Sequence, residues 1–183
     1  MKKGFKSLLI ALVFAGFFLT RIEFSDNAMG DNNIIITESE YQEERELVEV
    51  KLDRVVDGDT IRIKNDSNES IKVRLIGINT PESVHSDETK NCEEGKIASD
   101  FLVSYLEENC TDNILYLEYD VEQFDKYDRT LAYVYLNESI MLQEVLLSNG
   151  MAECMFVGEN LKYKAQFEKL ENKAKQESVG FWE

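Results

Sequence analysis

Five short β-branched segments, one helical stripe between the third and fourth, and two more stripes after the fifth predict an α+β fold. That order is the one expected of a five-stranded OB-type barrel carrying three α-helices. The overall composition agrees with a single core of this kind. The chain has 183 residues, is 43% hydrophobic and contains one proline. A chain of this length buries roughly two thirds of its unfolded surface. Proline-rich, collagen-like and low-complexity disordered chains are excluded on the same grounds.

The two ends of the chain differ in character. Lys2, Lys3 and Lys6 precede an uncharged run from Leu8 to Leu19, which Arg21 and Glu23 close. This is the layout of a secretory signal peptide. The run is shorter than the about 20 residues that a membrane-spanning helix requires. Ala28 and Gly30 supply small residues for cleavage after Gly30, with Ala28 as a second cleavage position. An uncleaved N-terminal anchor within 1–30 is the alternative, and with it membrane attachment through that segment only. Residues 31–46 are acidic and lack a sustained period, as expected of a solvated linker. The folded domain is expected over 47–183.

Each element has its own signal. Leu47–Val56 and Thr60–Lys64 alternate and are joined at Asp57-Gly58, a hairpin dipeptide. Ser70–Ile76 reads as the third strand. Glu94–Asn109 is helical, with Ile97, Phe101, Leu102, Tyr105 and Leu106 on one face. Asn113–Tyr119 and Leu131–Leu136 are the fourth and fifth strands. Met141–Asn149 forms a second helix with Met141, Val145 and Leu146 inward, stopped at Gly150. Asn160–Gln176 forms a third along the stripe Tyr163, Phe167, Leu170 and Ala174. Its outer face carries the i,i+4 pairs Lys164–Glu168 and Glu171–Lys175.

Charge and side-chain inventory narrow the chemistry. There are 20 Lys+Arg against 36 Asp+Glu, a net charge of −16, which argues against a passive basic sheath around nucleic acid. His85 is the only histidine, so multi-histidine metal sites are impossible. Cys92, Cys110 and Cys154 form no C-x-x-C pair, and three cysteines cannot all pair within one chain. Cys92 and Cys110 flank the first helix, about 27 Å apart at 1.5 Å per residue and too far for a disulfide, and Cys92–Cys154 is the pairing expected if any forms. Catalysis would then rest on carboxylates, arginines or a hard metal ion.

Three segments hold such groups. Val56–Thr60 makes a tight turn and adds a second carboxylate, Asp59, where a hard cation could be faced. Val73–Glu82 places Arg74 inside an apolar strand, which is costly unless the guanidinium is paired or sits at a barrel mouth. Pro81 then stiffens an oxygen-rich exit made of Asn79, Thr80 and Glu82. Asp125–Tyr133 is a charged turn feeding another apolar strand. Taken singly, each segment is also an ordinary turn. Together they supply carboxylates and two arginines at strand ends, which suits phosphoryl chemistry, because guanidinium forks pair bidentately with phosphate oxygens.

These residues carry a resemblance. Asp57-Gly58-Asp59-Thr60, then Arg74-Leu75 and Thr80-Pro81-Glu82, then Asp125-Lys126-Tyr127, Arg129 and Leu131-Ala132-Tyr133 resemble the staphylococcal nuclease (thermonuclease) family, as does the closing Gly180-Phe181-Trp182. The match is ordered and spans Leu47–Trp182. It implies a Ca²⁺-dependent phosphodiesterase with no stable protein partner, expected as a monomer and, from residues 1–30, as a secreted one. Such an enzyme acts on DNA and RNA and leaves 3′-phosphate ends. By position, Arg74 and Arg129 would clamp the phosphate and Glu82 would act as general base. Asp59 and the Thr80 carbonyl would bind calcium, and Lys126 and Tyr127 would contact a terminal phosphate. Asn79 stands where the family usually has an aspartate, so one anionic calcium ligand is replaced by an amide and a weakened site is expected. Phe156 and Gly158 stand where family members often carry two tyrosines against the base. Phe156 retains a stacking surface and Gly158 does not. The rival readings are a non-catalytic OB module binding oligonucleotides or a protein, and an acidic calcium-binding adhesin. The latter lacks both the D-x-[DN]-x-[DN]-G loop and any repeat.

Overall fold

Apolar alternation in five strands, with a near-continuous apolar run in the last, sets the architecture. The computed structural model describes residues 20–23, 35–38, 45–65, 67–81 and 92–183. The chain divides into two units, Met1–Arg45 and Glu46–Glu183. In the first, β1 (Thr20–Glu23) pairs antiparallel with β2 (Ile35–Glu38). The strand β2 lies in the stretch read as a solvated linker, where Ile34, Ile35 and Ile36 provide a short β-branched run.

The second unit holds β3 (Val48–Asp57), β4 (Thr60–Lys64), β5 (Ser70–Leu75), β6 (Ile78–Asn79), α1 (Glu93–Asn109), β7 (Ile114–Glu118), β8 (Thr130–Asn137), β9 (Ile140–Met141), α2 (Leu142–Ser148), β10 (Glu153–Cys154) and α3 (Lys164–Gln176). The sheet order is β5-β4-β3-β7-β8-β9, and a parallel β5–β8 pairing closes the first five into a barrel. This is the five-stranded OB barrel with three helices that the element order predicts. Ile61, Ile63, Val73, Leu75, Leu115 and Leu117 fill its interior. In β8, Ala132, Tyr133, Val134, Tyr135 and Leu136 are all buried, because α2, Tyr163 and Phe167 of α3 cover the face that would otherwise meet solvent. The closing register sets Arg74 between Thr60 of β4 and Leu131 of β8.

Several details depart from the sequence reading. The α1 face that packs inward is Gly95, Ala98, Leu102 and Leu106, while Ile97 is 45% exposed. Small residues win that position because the helix seats closely on the β3–β4 turn. The same contact explains Gly58, whose φ is not among the positive ones. A Cβ there would lie 2.9 Å from the Ala98 methyl and 2.8 Å from Thr80 Oγ1. The turn residues are Gly58 and Asp59, one step later than the Asp-Gly dipeptide suggests, with Asp57 and Thr60 paired across it. Helix α3 begins at Lys164 rather than Asn160, because the Asn160 amide is committed to the backbone of Glu122: Glu122 N–H donates to its Oδ1 and its Nδ2 donates to the Glu122 carbonyl, each at 2.8 Å. No disulfide joins Cys92, Cys110 or Cys154, so the Cys92–Cys154 pairing is not formed. Cys92 caps α1 and Cys154 sits in β10, where burial and the neighbouring Glu171 and Glu168 charges push its thiol up to about 12.

A polar clasp joins the segment before α3 to the barrel. Glu118 of β7, 3% exposed, accepts from Tyr135 at 2.6 Å and from Tyr163 at 2.8 Å, and pairs with Lys162 Nζ at 2.7 Å. Burial alone would raise its pKa. The hydrogen bonds from Lys162, Tyr135 and Tyr163, with the Lys162 charge, outweigh burial and hold it below the ordinary carboxylate value. A depressed folded pKa contributes stability that is present above the unfolded value and lost as pH falls through the folded one.

Two predictions follow from these contacts. Gly58→Ala should cost about 1–3 kcal/mol by overpacking, and Ala98→Gly added to it should recover part of that loss. Chemical denaturation of the single and double variants measures both, and unchanged stability in the single variant would refute the close approach. Melting temperatures of the wild type should fall as pH drops below about 4.5. Glu118→Gln should flatten that acid limb; an identical acid slope in the variant would remove Glu118 from the account.

Candidate active site

The site grows from Arg74, which β5 carries into the closure seam of the barrel. Its Nη2 pairs with Asp59 Oδ2 at 2.9 Å, both side chains about a tenth exposed (9% and 10%). Nη1 donates to the Leu75 carbonyl at 2.8 Å and Nη2 reaches Asn79 Oδ1 at 3.4 Å. The strand arginine is therefore paired, as its burial demands. Asp59 is held in turn by Thr80 N–H on Oδ2 and the Thr60 hydroxyl on Oδ1, both at 3.0 Å. The tight β3–β4 turn thus aims Asp59 at the exit of β5. Asp57 stands just behind it, and burial together with the Asp59 charge pushes its carboxyl up to about 6.

A second guanidinium comes from the turn before β8. Arg129 Nε donates to Asp125 Oδ2 at 2.7 Å, and the Arg129 and Tyr127 N–H groups donate to Asp125 Oδ1 at 3.0 and 2.8 Å. Burial opposes the Asp125 charge, but these hydrogen bonds and the Arg129 charge hold its carboxyl below its ordinary value. Asp125 therefore fixes the arm of Arg129 at Nε, leaving its Nη groups outside that ion pair. The exposed Tyr127 ring has Lys126 Nζ 4.9 Å and the Arg129 guanidinium 5.7 Å from its centroid.

Arg74, Arg129, Lys126 and Tyr127 line one cavity of about 450 Å³, together with Gly77, Glu122, Phe124, Met155, Val157 and Gly158. Four of the residues singled out in the sequence therefore share one wall system. Asp59, Asn79 and Thr80 lie behind it, joined to it through Arg74. Phe156 is half-buried against the core, with its ring near Gly77 and Lys164 Nζ 5.5 Å from its centroid. Its neighbours Met155 and Val157 face the cavity in its place. Glu82 lies outside the described residues. No motif or periodicity marks Glu122, Phe124 or Met155 as cavity residues. Glu122 and Phe124 arrive through the backbone bonds that turn Gln123–Phe124 back onto Thr130 and Leu131. Met155 arrives through its N–H to the Gly77 carbonyl at 3.0 Å.

The donors around Asp59 suit a hard cation. They are oxygens only: one carboxylate with a lone pair left after three hydrogen bonds, the Asn79 amide, and the Thr80 carbonyl. No group of three or more His, Cys, Asp or Glu residues is poised for a metal among the described residues. The Asn79 amide is also shared, since its Nδ2 donates to Glu153 Oε1 at 3.3 Å across the β6–β10 pair.

Comparison with known proteins agrees with this geometry. A family model described as staphylococcal nuclease homologue matches residues 72–183. The chain is 41% identical over 130 residues to a thermonuclease of Staphylococcus intermedius, covering 71% of this chain and 73% of that protein. It is 38% identical over 132 residues to the thermonuclease of Staphylococcus hyicus, covering 72% and 74%. It is 40% identical over 142 residues to the SPbeta prophage-derived endonuclease YokF of Bacillus subtilis, covering 75% of this chain and 45% of that one. With this cavity, this barrel and these relatives, the chain belongs to the staphylococcal nuclease family, whose members are generally metal-dependent nucleases.

Proposed function

We propose that this nuclease is a Ca²⁺-dependent phosphodiesterase that hydrolyses DNA and RNA to 3′-phosphate ends and works outside the cell as a monomer. The observation that carries this reading is the pair of guanidinium groups, Arg74 and Arg129, lining one cavity and each held by its own aspartate. Two preorganised forks on one phosphate stabilise the charge that builds on its oxygens as water attacks. Glu82, just past Pro81, is assigned the general base that orients the water or takes its proton. The P–O5′ bond then breaks, leaving the phosphate on the 3′ side. Lys126 and Tyr127 are assigned to a terminal phosphate. Asp59, Asn79 Oδ1 and the Thr80 carbonyl would hold Ca²⁺, which when bound neutralises phosphate charge. Export is assigned to residues 1–30, either as a cleaved signal or as an anchor. Among the described residues no helix is long and apolar enough to cross a membrane.

Arg74→Lys and Arg129→Lys should each lower kcat by about 10²–10³, because lysine keeps the charge and loses the planar fork. Glu82→Gln should cripple turnover while nucleotide binding persists. Digestion of single-stranded DNA and RNA with and without Ca²⁺ measures these effects. Near-wild-type rates in all three variants would take these residues out of the catalytic machinery, whereas no cleavage by the wild type with or without Ca²⁺ would leave the non-catalytic OB module.

Asn79→Asp tests the metal assignment. A second carboxylate should lower the half-saturating Ca²⁺ concentration and change saturated kcat far less. Without metal, the new carboxylate would face Glu153, now 3.3 Å from the Asn79 amide nitrogen. Arg74 Nη2, 3.4 Å from Asn79 Oδ1, opposes that repulsion, so the readout is the melting-temperature gain on adding Ca²⁺, which should be larger in the variant than in the wild type. Unmoved calcium curves in both readouts would take residue 79 out of the metal site.

A further inference from the structure

The cavity that holds two arginines also holds one carboxylate that neither of them neutralises. Glu122 lines it, while the nearby ion pairs are made by Asp59, Asp125 and Glu118. Its position is built. Asn160, 2% exposed, grips its backbone on both the N–H and the carbonyl side. Its Oε2 accepts the Glu159 N–H at 3.2 Å, which sets the side-chain direction. Gly158 makes room for it: with φ at +72°, a Cβ there would overlap the Glu122 carboxylate. Oε1 accepts no hydrogen bond among the described residues, and Glu122 lines a cavity whose other walls include Phe124, Met155 and Val157.

A carboxylate beside phosphate-binding arginines weakens polyanion binding by repulsion unless it meets donors of its own. Nucleic acid offers such donors only on its base and sugar edges. Among the bases, guanine alone presents two adjacent donors, N1–H and N2–H, matching the two oxygens of a carboxylate. Adenine and cytosine present one exocyclic amine. The N3–H of uracil and thymine is flanked by two carbonyls that repel the carboxylate. We propose that Glu122, in the space opened by Gly158, reads the Watson–Crick edge of an unstacked base and gives the cavity a preference for guanine. The inference rests on the nuclease reading of the cavity and adds to it the identity of the base.

The test is competition binding of guanosine, inosine, adenosine, cytidine and uridine 5′-monophosphates to the full chain, at fixed ionic strength. Guanosine monophosphate should bind about tenfold more tightly than uridine monophosphate, the effect of one charge-assisted pair in a partly wet site. Inosine monophosphate, lacking the N2 amine, should fall between them. Glu122→Gln should act with opposite signs, weakening the guanosine nucleotide and tightening the uridine one as repulsion is removed. A role in folding alone cannot produce that crossing. Gly158→Ala, which displaces the carboxylate without deleting it, should also narrow the ratio. Equal affinities for all five, or a Glu122→Gln variant that shifts all five together, would overturn the proposal while leaving the nuclease reading intact. Failure of every nucleotide to bind, with no strand cleavage, would overturn both.

Discussion

A guanidinium buried in a strand at the seam of the barrel is the constraint on which the rest depends. Arg74 lies between β4 and β8 where the parallel pairing closes the sheet, and it cannot remain there unpaired. Its partner Asp59 must then come from the β3–β4 turn, and the turn must be tight enough to deliver it. Tightness brings Gly58 against Thr80 and Ala98, which decides the small-residue face of α1. Thr80 N–H completes the Asp59 shell, which fixes the exit from β6. One ion pair therefore sets the positions of a turn, a helix and the segment that leads to Glu82.

Such a pair is weak evidence for stability, since two desolvated charges often do no better than apolar residues of similar size. Its value lies in geometry. Arg74 is attached to a carboxylate behind it and borders the cavity in front, so its fork is oriented before any anion arrives. Arg129 repeats the arrangement with Asp125. The two guanidinium groups reach the cavity from non-adjacent parts of the sequence, each with an aspartate restraining its arm. Preorganisation of this kind lowers the reorganisation needed as charge develops.

The barrel was legible because its signals are local and repeated: alternation in four strands, a long apolar run in β8, and stripes in three helices. The departures come from tertiary contacts that periodicity does not encode. Ile97 lies outward because a close helix–turn contact selects Ala98. Residues 160–163 stay out of α3 because Asn160 and Lys162 are used elsewhere. In the site, Arg74 and Arg129 were legible as charges set in or beside apolar strands, which demand an explanation. Glu122 was not, because an acid in an acidic chain carries no signal until the fold places it in the same cavity as the arginines. Phe156 shows the reverse case. A sequence position matched to a stacking aromatic packs instead beside Gly77, and its neighbours reach the cavity.

The acidity of the chain bears on how that cavity would work. A net charge of −16 repels a polyanion at long range. At physiological ionic strength that repulsion is screened over about 8 Å, whereas contacts inside a partly enclosed cavity are screened much less. On the proposed reading attraction is concentrated on the basic groups of the cavity wall, Arg74, Arg129 and Lys126, with Tyr127 beside them. A basic surface would hold nucleic acid at any register. On the proposed reading, two guanidinium groups meeting one phosphate would make binding and the geometry for hydrolysis coincide. An acidic surface also leaves little to retain the product after cleavage. The same charge balance that argues against a nucleic-acid coat is therefore compatible with an enzyme that engages each phosphate briefly and lets it go.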